Sequence, residues 1–256
     1  MDFQSKVAIV TGGAQDIGRA VALSLARDGA AVVIVDCDEA GGQSLAAGIT
    51  SWGGRALALA ADVASEADAA RVAAETVATF GGIDILINSA GLQTPGTVES
   101  TPLDLWNAVI GVNLTGVYLM SRAVLPELRR HGGGVIVNVA SLHGLRAESG
   151  WAAYAASKGG AIALSREMAL DYAPEGIRVN CVCPGLIDTP QLRTAALHER
   201  RAHPEELLRA WAARQPLGRL GTPEEVADLV LFLAGPRASF ITGSIYTADG
   251  GLGAGF

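Results

Sequence analysis

The sequence predicts an α/β protein: a doubly wound parallel sheet in three layers, α/β/α, formed as a single domain. Three observations predict it. Short β-branched runs alternate with helix-length segments along the whole chain. Most of those runs are apolar at consecutive positions, as strands covered on both faces must be. A glycine-rich stretch, TGGAQDIGRA at 11–20, falls between the first apolar run and the first helix-like segment, where a strand-to-helix turn belongs.

In chain order, strands are expected at 7–10 (VAIV), 31–35 (AVVIV), 56–60 (ALALA), 83–88 (IDILIN), 134–140 (GVIVNVA), 177–182 (IRVNCV) and 244–248 (SIYTA). Helices are expected over 18–28, 40–52, 66–79, 103–130, 154–172 and 223–234. Ser65-Glu66 and Thr222-Pro223-Glu224-Glu225 are start signals, a capping side chain or an N1 proline followed by early acids. Right-handed crossovers bring every strand-to-helix turn to the carboxyl edge of the sheet, so ligand-binding residues should cluster there. The segment 188–221, rich in Arg, His and Glu, reads as a surface helical insertion, a lid or substrate loop within the one 1–256 domain.

Composition excludes several classes of function. With 50% hydrophobic residues, 18% charged residues and 32 glycines the chain folds, and its 256 residues suffice for one core. A net charge of −7 without a basic run argues against a nucleic-acid partner and for a small-molecule one. Three cysteines, Cys37, Cys181 and Cys183, fit neither a disulfide framework nor a zinc site, and read as buried thiols in a reducing compartment. No metal is expected. The opening MDFQSKVAIV is too short and polar for a signal peptide, and no apolar run approaches the roughly 18 residues a membrane span needs. The expectation is a cytoplasmic protein with no membrane partner.

The glycine turn suits a nucleotide, because a helix N-terminus offers free N–H groups and a favourable dipole to a pyrophosphate. Gly12, Gln15, Asp16, Ile17 and Gly18 would line it. Asp36 closes the second strand, where a carboxylate can hydrogen-bond an adenosine ribose. That carboxylate would repel a 2′-phosphate, and Gln15, Cys37 and Asp38 supply no cation to neutralise one, so NAD is favoured over NADP. Asp16 stands where a third glycine would be expected. Aspartate tolerates left-handed backbone angles, and at a helix entry it reads as an N-cap whose carboxylate turns away from the pyrophosphate.

A second block, NVASLHGLRAESGWAAYAASKGG at 138–160, sets Tyr154 and Lys158 one helical turn apart. A phenol of pKa about 10 is a poor base at neutral pH, and an adjacent ammonium favours the phenolate. Ser141 ends the preceding strand, where its hydroxyl can meet a substrate oxygen that gains or loses charge.

Together, TGGAQDIG, the DV at 62–63, NSAG at 88–91, Asn113, Ser141, YAASK at 154–158, PG at 184–185 and ITGSIYTADGG at 241–251 resemble the short-chain dehydrogenase/reductase family over essentially the whole chain. The resemblance implies a Rossmann-type fold and hydride transfer between NAD and a secondary alcohol or ketone. It implies Tyr154 as general acid/base, Lys158 lowering its pKa and holding the nicotinamide ribose, Ser141 polarising the substrate, and Asn113 holding a water linked to Lys158. By the same carry-over Asp62 and Val63 would flank the adenine, and Asn88, Ala90 and Gly91 would pass close to the ribose and pyrophosphate. Pro184 and Gly185 would line the cofactor site, with Ile187 and Thr189 at the nicotinamide amide. A homotetramer is implied, with the 103–130 and 154–172 helices at one interface. Asp16 and Ser89 depart from the family's usual glycine and asparagine.

Substrate contacts are expected from Gln93, Ser141, His143, Glu148, Trp151 and Tyr154, with Arg146, Arg193, Arg200 and Arg201 available to a carboxylate. Such polar groups suit a sugar, polyol or sugar acid better than a bare apolar ligand, which would leave them unpaired. A 3-oxoacyl-thioester reductase and a non-catalytic NAD-binding regulatory protein are the alternatives.

Overall fold

The computed structural model describes residues 3–198 and 203–255. Its centre is one sheet of seven parallel strands: β1 (Val7–Thr11), β2 (Ala31–Asp36), β3 (Arg55–Ala60), β4 (Ile85–Asn88), β5 (Gly134–Val139), β6 (Ile177–Pro184) and β7 (Ile245–Ala248). The order is β3-β2-β1-β4-β5-β6-β7. The chain winds outward from β1 to β3 and then returns to β4 on the other side, so a crevice opens where β1 and β4 part.

Successive strand residues point to opposite faces, which divides the apolar runs between two cores. Ala8, Val10, Val32, Ile34, Ile85, Ile87, Val135 and Val137 face α1 (Asp16–Arg27), α2 (Glu39–Ser51) and α9 (Pro223–Ala234), meeting Val21, Leu25, Ile49 and Val230. Ile9, Val33, Leu86, Ile136 and Val179 face α3 (Glu66–Phe80), α5 (Gly116–Arg130) and α6 (Ala152–Tyr172), meeting Val72, Met120, Val124, Leu128 and Met168. Each fully buried Val, Leu or Ile contributes about 1.5–3 kcal/mol, so the sheet is the rigid part of the molecule.

Two start signals act as read. Ser65 Oγ accepts from the Asp68 N–H at 3.2 Å, and Thr222 forms a reciprocal capping box with Glu225. Strand register aligns Thr11 with Asn88, and Asn88 with Asn138, at the carboxyl edge.

Four expectations are corrected. The single helix over 103–130 is divided into α4 (Leu103–Ile110), a π-helical turn at Gly111–Thr115, and α5. That run is also long and apolar enough to cross a membrane, although half of its most apolar window is buried inside the fold, as in the core helix of a globular domain. Cys37 is exposed, because it lies just past the end of β2; only Cys181 and Cys183 are buried. The expected strand at 83–88 begins at Ile85, since Asp84 turns its carboxylate to the Lys6 ammonium and the Val7 N–H, each at 2.9 Å.

The 188–221 segment carries α7 (Pro190–His198) and α8 (Pro204–Arg214). Gln215, almost wholly buried, ties its far end to the sheet by donating to the carbonyls of Leu186 and Arg219.

Candidate active site

The turn between β1 and α1 is shaped by backbone contacts. Gly12 has φ +63°, and a Cβ there would lie 2.7 Å from Ala90 Cα; a Cβ on Gly18 would lie 2.0 Å from the Gly12 carbonyl oxygen. Neither position tolerates a side chain. Thr11 Oγ1 accepts from the N–H groups of Ser89 and Ala90, both at 3.1 Å, which joins the turn to the end of β4. The Asp36 carboxylate accepts from Ala14 N–H and Asp38 N–H, each at 3.0 Å, so it both closes β2 and orders the glycine turn.

Asp16 departs from its sequence reading in one respect and follows it in another. Its φ is +51°, the left-handed angle expected of a glycine substitute. It does not cap the helix: Gln15 occupies the cap without a side-chain bond, and Asp16 begins the first turn. Asp16 Oδ1 is buried with no hydrogen-bond partner, and burial raises its pKa above the usual carboxylate value.

Of the residues assigned around the adenine and ribose, Asp62 is exposed and accepts from Ala64 N–H at 2.9 Å, while Val63 is buried against Gly116. Asn88 turns into the core, donating to Ser121 Oγ and, at 2.8 Å, to Asn138 Oδ1, which leaves only its backbone toward the crevice. Asn138 continues the chain to Ser165 Oγ at 2.8 Å. This buried Asn88–Asn138–Ser165 ladder was not anticipated; two asparagines near the ends of neighbouring strands were its only signal. Ile187 packs in the core, and Thr189 Oγ1 accepts from Leu192 N–H at the start of α7, so their side chains are already engaged. Gly185 passes so close to Asp249 that an added Cβ would meet its Cα at 2.8 Å.

The catalytic candidates converge. The π turn rotates Asn113 inward, and its side chain leaves its own helix. Oδ1 accepts from Leu92 N–H at 2.7 Å, while Nδ2 donates to the Leu92 carbonyl at 2.9 Å and to Ser157 Oγ at 3.0 Å. A wide turn at a functional position is the usual context of such bulges. Asn113 thereby clamps the loop after β4 to α6. An added Cβ on Gly91 would lie 3.5 Å from Lys158 Nζ and 3.7 Å from Asn113 Oδ1, so the two groups flank one space.

Lys158 is 4% exposed and donates to the Val139 carbonyl at 2.9 Å. Burial holds its pKa down at about 8. Its ammonium lies 5.8 Å from the centre of the Tyr154 ring. Burial pushes the phenol's pKa up and the Ser141 hydroxyl, hydrogen-bonded to it, pulls it back in part. The lowering expected from Lys158 is not found here: desolvation dominates, and Ser141 is the group that opposes it.

At the outer side, the Ser141 hydroxyl also accepts from His143 N–H at 3.2 Å. The His143 ring sits between those of Trp151 and Tyr154, with centroids 5.6 Å from each. Its Nε2 is 3.1 Å from Glu148, which Arg214 of α8 holds at 2.9 Å. A backbone bridge between Gly96 and Trp151 brings the loop carrying Gln93 against this cluster. Arg146 is exposed, and Arg193 is paired bidentately with Asp188 at 2.7 Å. Arg200 and Arg201 lie outside the described residues. Among the described residues no cluster of His, Cys, Asp or Glu could hold a metal ion.

A family model described as enoyl-(acyl carrier protein) reductase matches residues 12–253. The chain belongs to the short-chain dehydrogenase/reductase family. Within it, the chain is 41% identical to the cis-4-hydroxycyclohexanecarboxylate dehydrogenase of Sinomonas cyclohexanicum over 97% of each chain. It is 36% identical to 2-(S)-hydroxypropyl-CoM dehydrogenase 3 of Xanthobacter autotrophicus, covering 98% of this chain and 97% of that one. A crystal structure of a Burkholderia xenovorans protein described as a short-chain dehydrogenase/reductase superposes with a TM-score of 0.94 at 37% identity, covering 99% and 98% of the two chains. Short-chain dehydrogenase/reductases are oxidoreductases that use NAD(P). The close-packed glycine turn, the Asp36 carboxylate and the buried Lys158 ammonium fit such a dinucleotide, whereas the buried, unpaired Asp16 carboxylate fits it poorly.

Proposed function

We propose that the protein oxidises a secondary alcohol reversibly with NAD, and that its substrate is a compact polar one: a sugar, polyol or sugar acid. The observation that carries the reading is the convergence of Ser141, Tyr154, Lys158 and Asn113 at the carboxyl edge, beside the glycine turn. When bound, NAD accepts the hydride. Tyr154 takes the carbinol proton, Ser141 hydrogen-bonds the same oxygen, and Lys158 stabilises the phenolate and holds the nicotinamide ribose. Asn113 fixes the wall behind Lys158, and a water held there would return the proton to solvent.

NAD is preferred to NADP because Asp36 is flanked by Asp38 and exposed Asp62, a cluster that repels a further phosphate. Gln93, His143, Glu148 and Arg214 give the mouth its polar character. The Sinomonas relative, by its name, acts on an alcohol carrying a carboxylate, which keeps acidic substrates in the class. A 3-oxoacyl thioester on a carrier protein is less well supported, since Arg193, Arg214 and Arg219 are each paired with a carboxylate. A purely regulatory role fits poorly with four intact catalytic groups. Exposed Tyr118 on α5 and Leu170 on α6 suit the homotetramer, and three free cysteines suit a cytoplasmic setting.

The test is NADH formation across sugars, polyols, sugar acids and 3-hydroxyacyl thioesters, with NADP in parallel. Turnover of a polyhydroxylated alcohol with NAD supports the reading. Turnover confined to thioesters with NADP would replace it.

A further inference from the structure

The substrate mouth contains a polar atom that the catalytic machinery leaves unused. His143 Nδ1 is buried and has no hydrogen-bond partner, although its ring lies between Trp151 and the catalytic Tyr154. The other ring nitrogen shows what that atom must be. Nε2 lies 3.1 Å from Glu148 Oε2, and a carboxylate can only accept. Glu148 is kept ionised: burial works against the charge, but the Arg214 guanidinium at 2.9 Å and His143 together hold its pKa below the usual value. Nε2 is therefore the nitrogen that donates, which leaves Nδ1 as the one able to present a lone pair.

The ring has little freedom to turn that lone pair elsewhere. Its backbone N–H is bonded to Ser141 Oγ, the ring lies tilted against Trp151, and its far edge is tied through Glu148 to α8. A phenyl ring at this position would fill the space without burying an unpaired acceptor. A buried nitrogen without a partner, on a ring packed against Tyr154, calls for one, and a donor in that place can come from the substrate.

We infer that His143 is a specificity-determining residue whose Nδ1 accepts a hydrogen bond from a second hydroxyl of the substrate, oriented by the chain Arg214–Glu148–His143. The inference rests on the dehydrogenase reading above and narrows it to diols and polyols. Glu148 and Arg214 are positioning residues: they fix the tautomer and the ring, and they join α8 to the loop ahead of α6, so substrate selection depends on the seating of the 188–221 segment.

The test compares kcat/KM, with NAD as acceptor, for the 1,2-, 1,3- and 1,4-cyclohexanediols, for cyclohexanol, and for the fluorocyclohexanols in which fluorine replaces the second hydroxyl. Fluorine is close to hydroxyl in size but cannot donate. The expected result is that at least one diol exceeds its fluoro analogue by about a hundredfold, because the analogue leaves Nδ1 unpaired. His143→Phe should reduce that ratio to within about threefold. Arg214→Met should raise KM for the preferred diol while leaving kcat nearly unchanged, and Arg214→Lys should restore part of it. A readout independent of turnover is the nitrogen NMR of the four histidines, in which diol added to the NADH complex should shift the His143 Nδ1 resonance and His143→Phe should identify it.

Equal use of diols and fluoro analogues, or a preference that survives His143→Phe, would overturn the inference while leaving the dehydrogenase reading intact. No turnover of any alcohol, with NADH still bound and no shift at His143, would overturn both.

Discussion

The cofactor end and the substrate end of the site are held in different ways. Around the glycine turn the contacts are all made to backbone atoms: Gly12 against Ala90, Gly18 against the Gly12 carbonyl, and the short Thr11 side chain bonded to two N–H groups after β4. Around the mouth the contacts are between long side chains, His143 to Glu148 to Arg214, drawn from a short 3-10 turn, a loop and α8. Backbone contacts admit almost no variation, so the first region can be built only one way. Side-chain pairs can be exchanged without disturbing the sheet, which lets substrate choice vary on a fixed scaffold.

The largest break of that contrast should come from Gly18→Ala. A methyl group 2.0 Å from a carbonyl oxygen must displace the turn, at about 1–3 kcal/mol or more. A lowered thermal midpoint together with loss of NADH binding is expected; unchanged binding would show that the turn is softer than its packing indicates. Lys158→Met sharpens the contrast from inside the site, because the ammonium is proposed to act in turnover although its burial is unfavourable to the fold. Its pKa falls from the ordinary 10.5 to about 8, so between those values the unfolded chain binds more protons and stability rises with pH. The variant should lose turnover yet gain about 1–3 kcal/mol at neutral pH, and the rise in midpoint above pH 8 should disappear in thermal melts. A destabilised variant would mean that the ammonium is paired more fully than Val139 alone accounts for.

Asp36→Asn should bring NADP toward parity, by about tenfold in the ratio of kcat/KM values, with a small stability loss because two N–H groups depend on that carboxylate. No change in the ratio would place cofactor choice elsewhere. The smallest effect is expected of Asp16→Asn. The asparagine keeps the left-handed angle and removes the charge, so NADH affinity should rise a few-fold. In the parent, affinity should fall as pH rises through the elevated Asp16 pKa, since the ionised form repels the pyrophosphate; the variant should be flat. Parallel pH profiles would show that the carboxylate faces away from the cofactor.

What could be read in the sequence follows the same division. The alternation of apolar runs, the glycine turn and Asp36 at the end of β2 were legible, because period and glycine placement are properties of local backbone. The Tyr154–Lys158 spacing was legible as one turn of a helix. The π turn at Asn113 was not, since no residue type marks the extra residue that widens a helical turn, and the run looked like one helix. The Asn88–Asn138–Ser165 ladder was hidden because it joins residues 50 and 27 positions apart. Asp16 was correctly read as a left-handed residue but not as an unpaired one, since partners depend on what packs around it. The Arg214–Glu148–His143 chain was hidden for the same reason: it exists only once α8 is laid beside the mouth.

The central claim is that Tyr154 carries the proton in an alcohol oxidation. It is tested most directly by measuring turnover and NADH binding side by side for the parent and Tyr154→Phe. The account predicts unchanged NADH binding with turnover reduced by about 10²–10⁴-fold, and a parent oxidation rate that rises with pH as the phenol ionises. Turnover that survives the loss of the phenolic hydroxyl would contradict it.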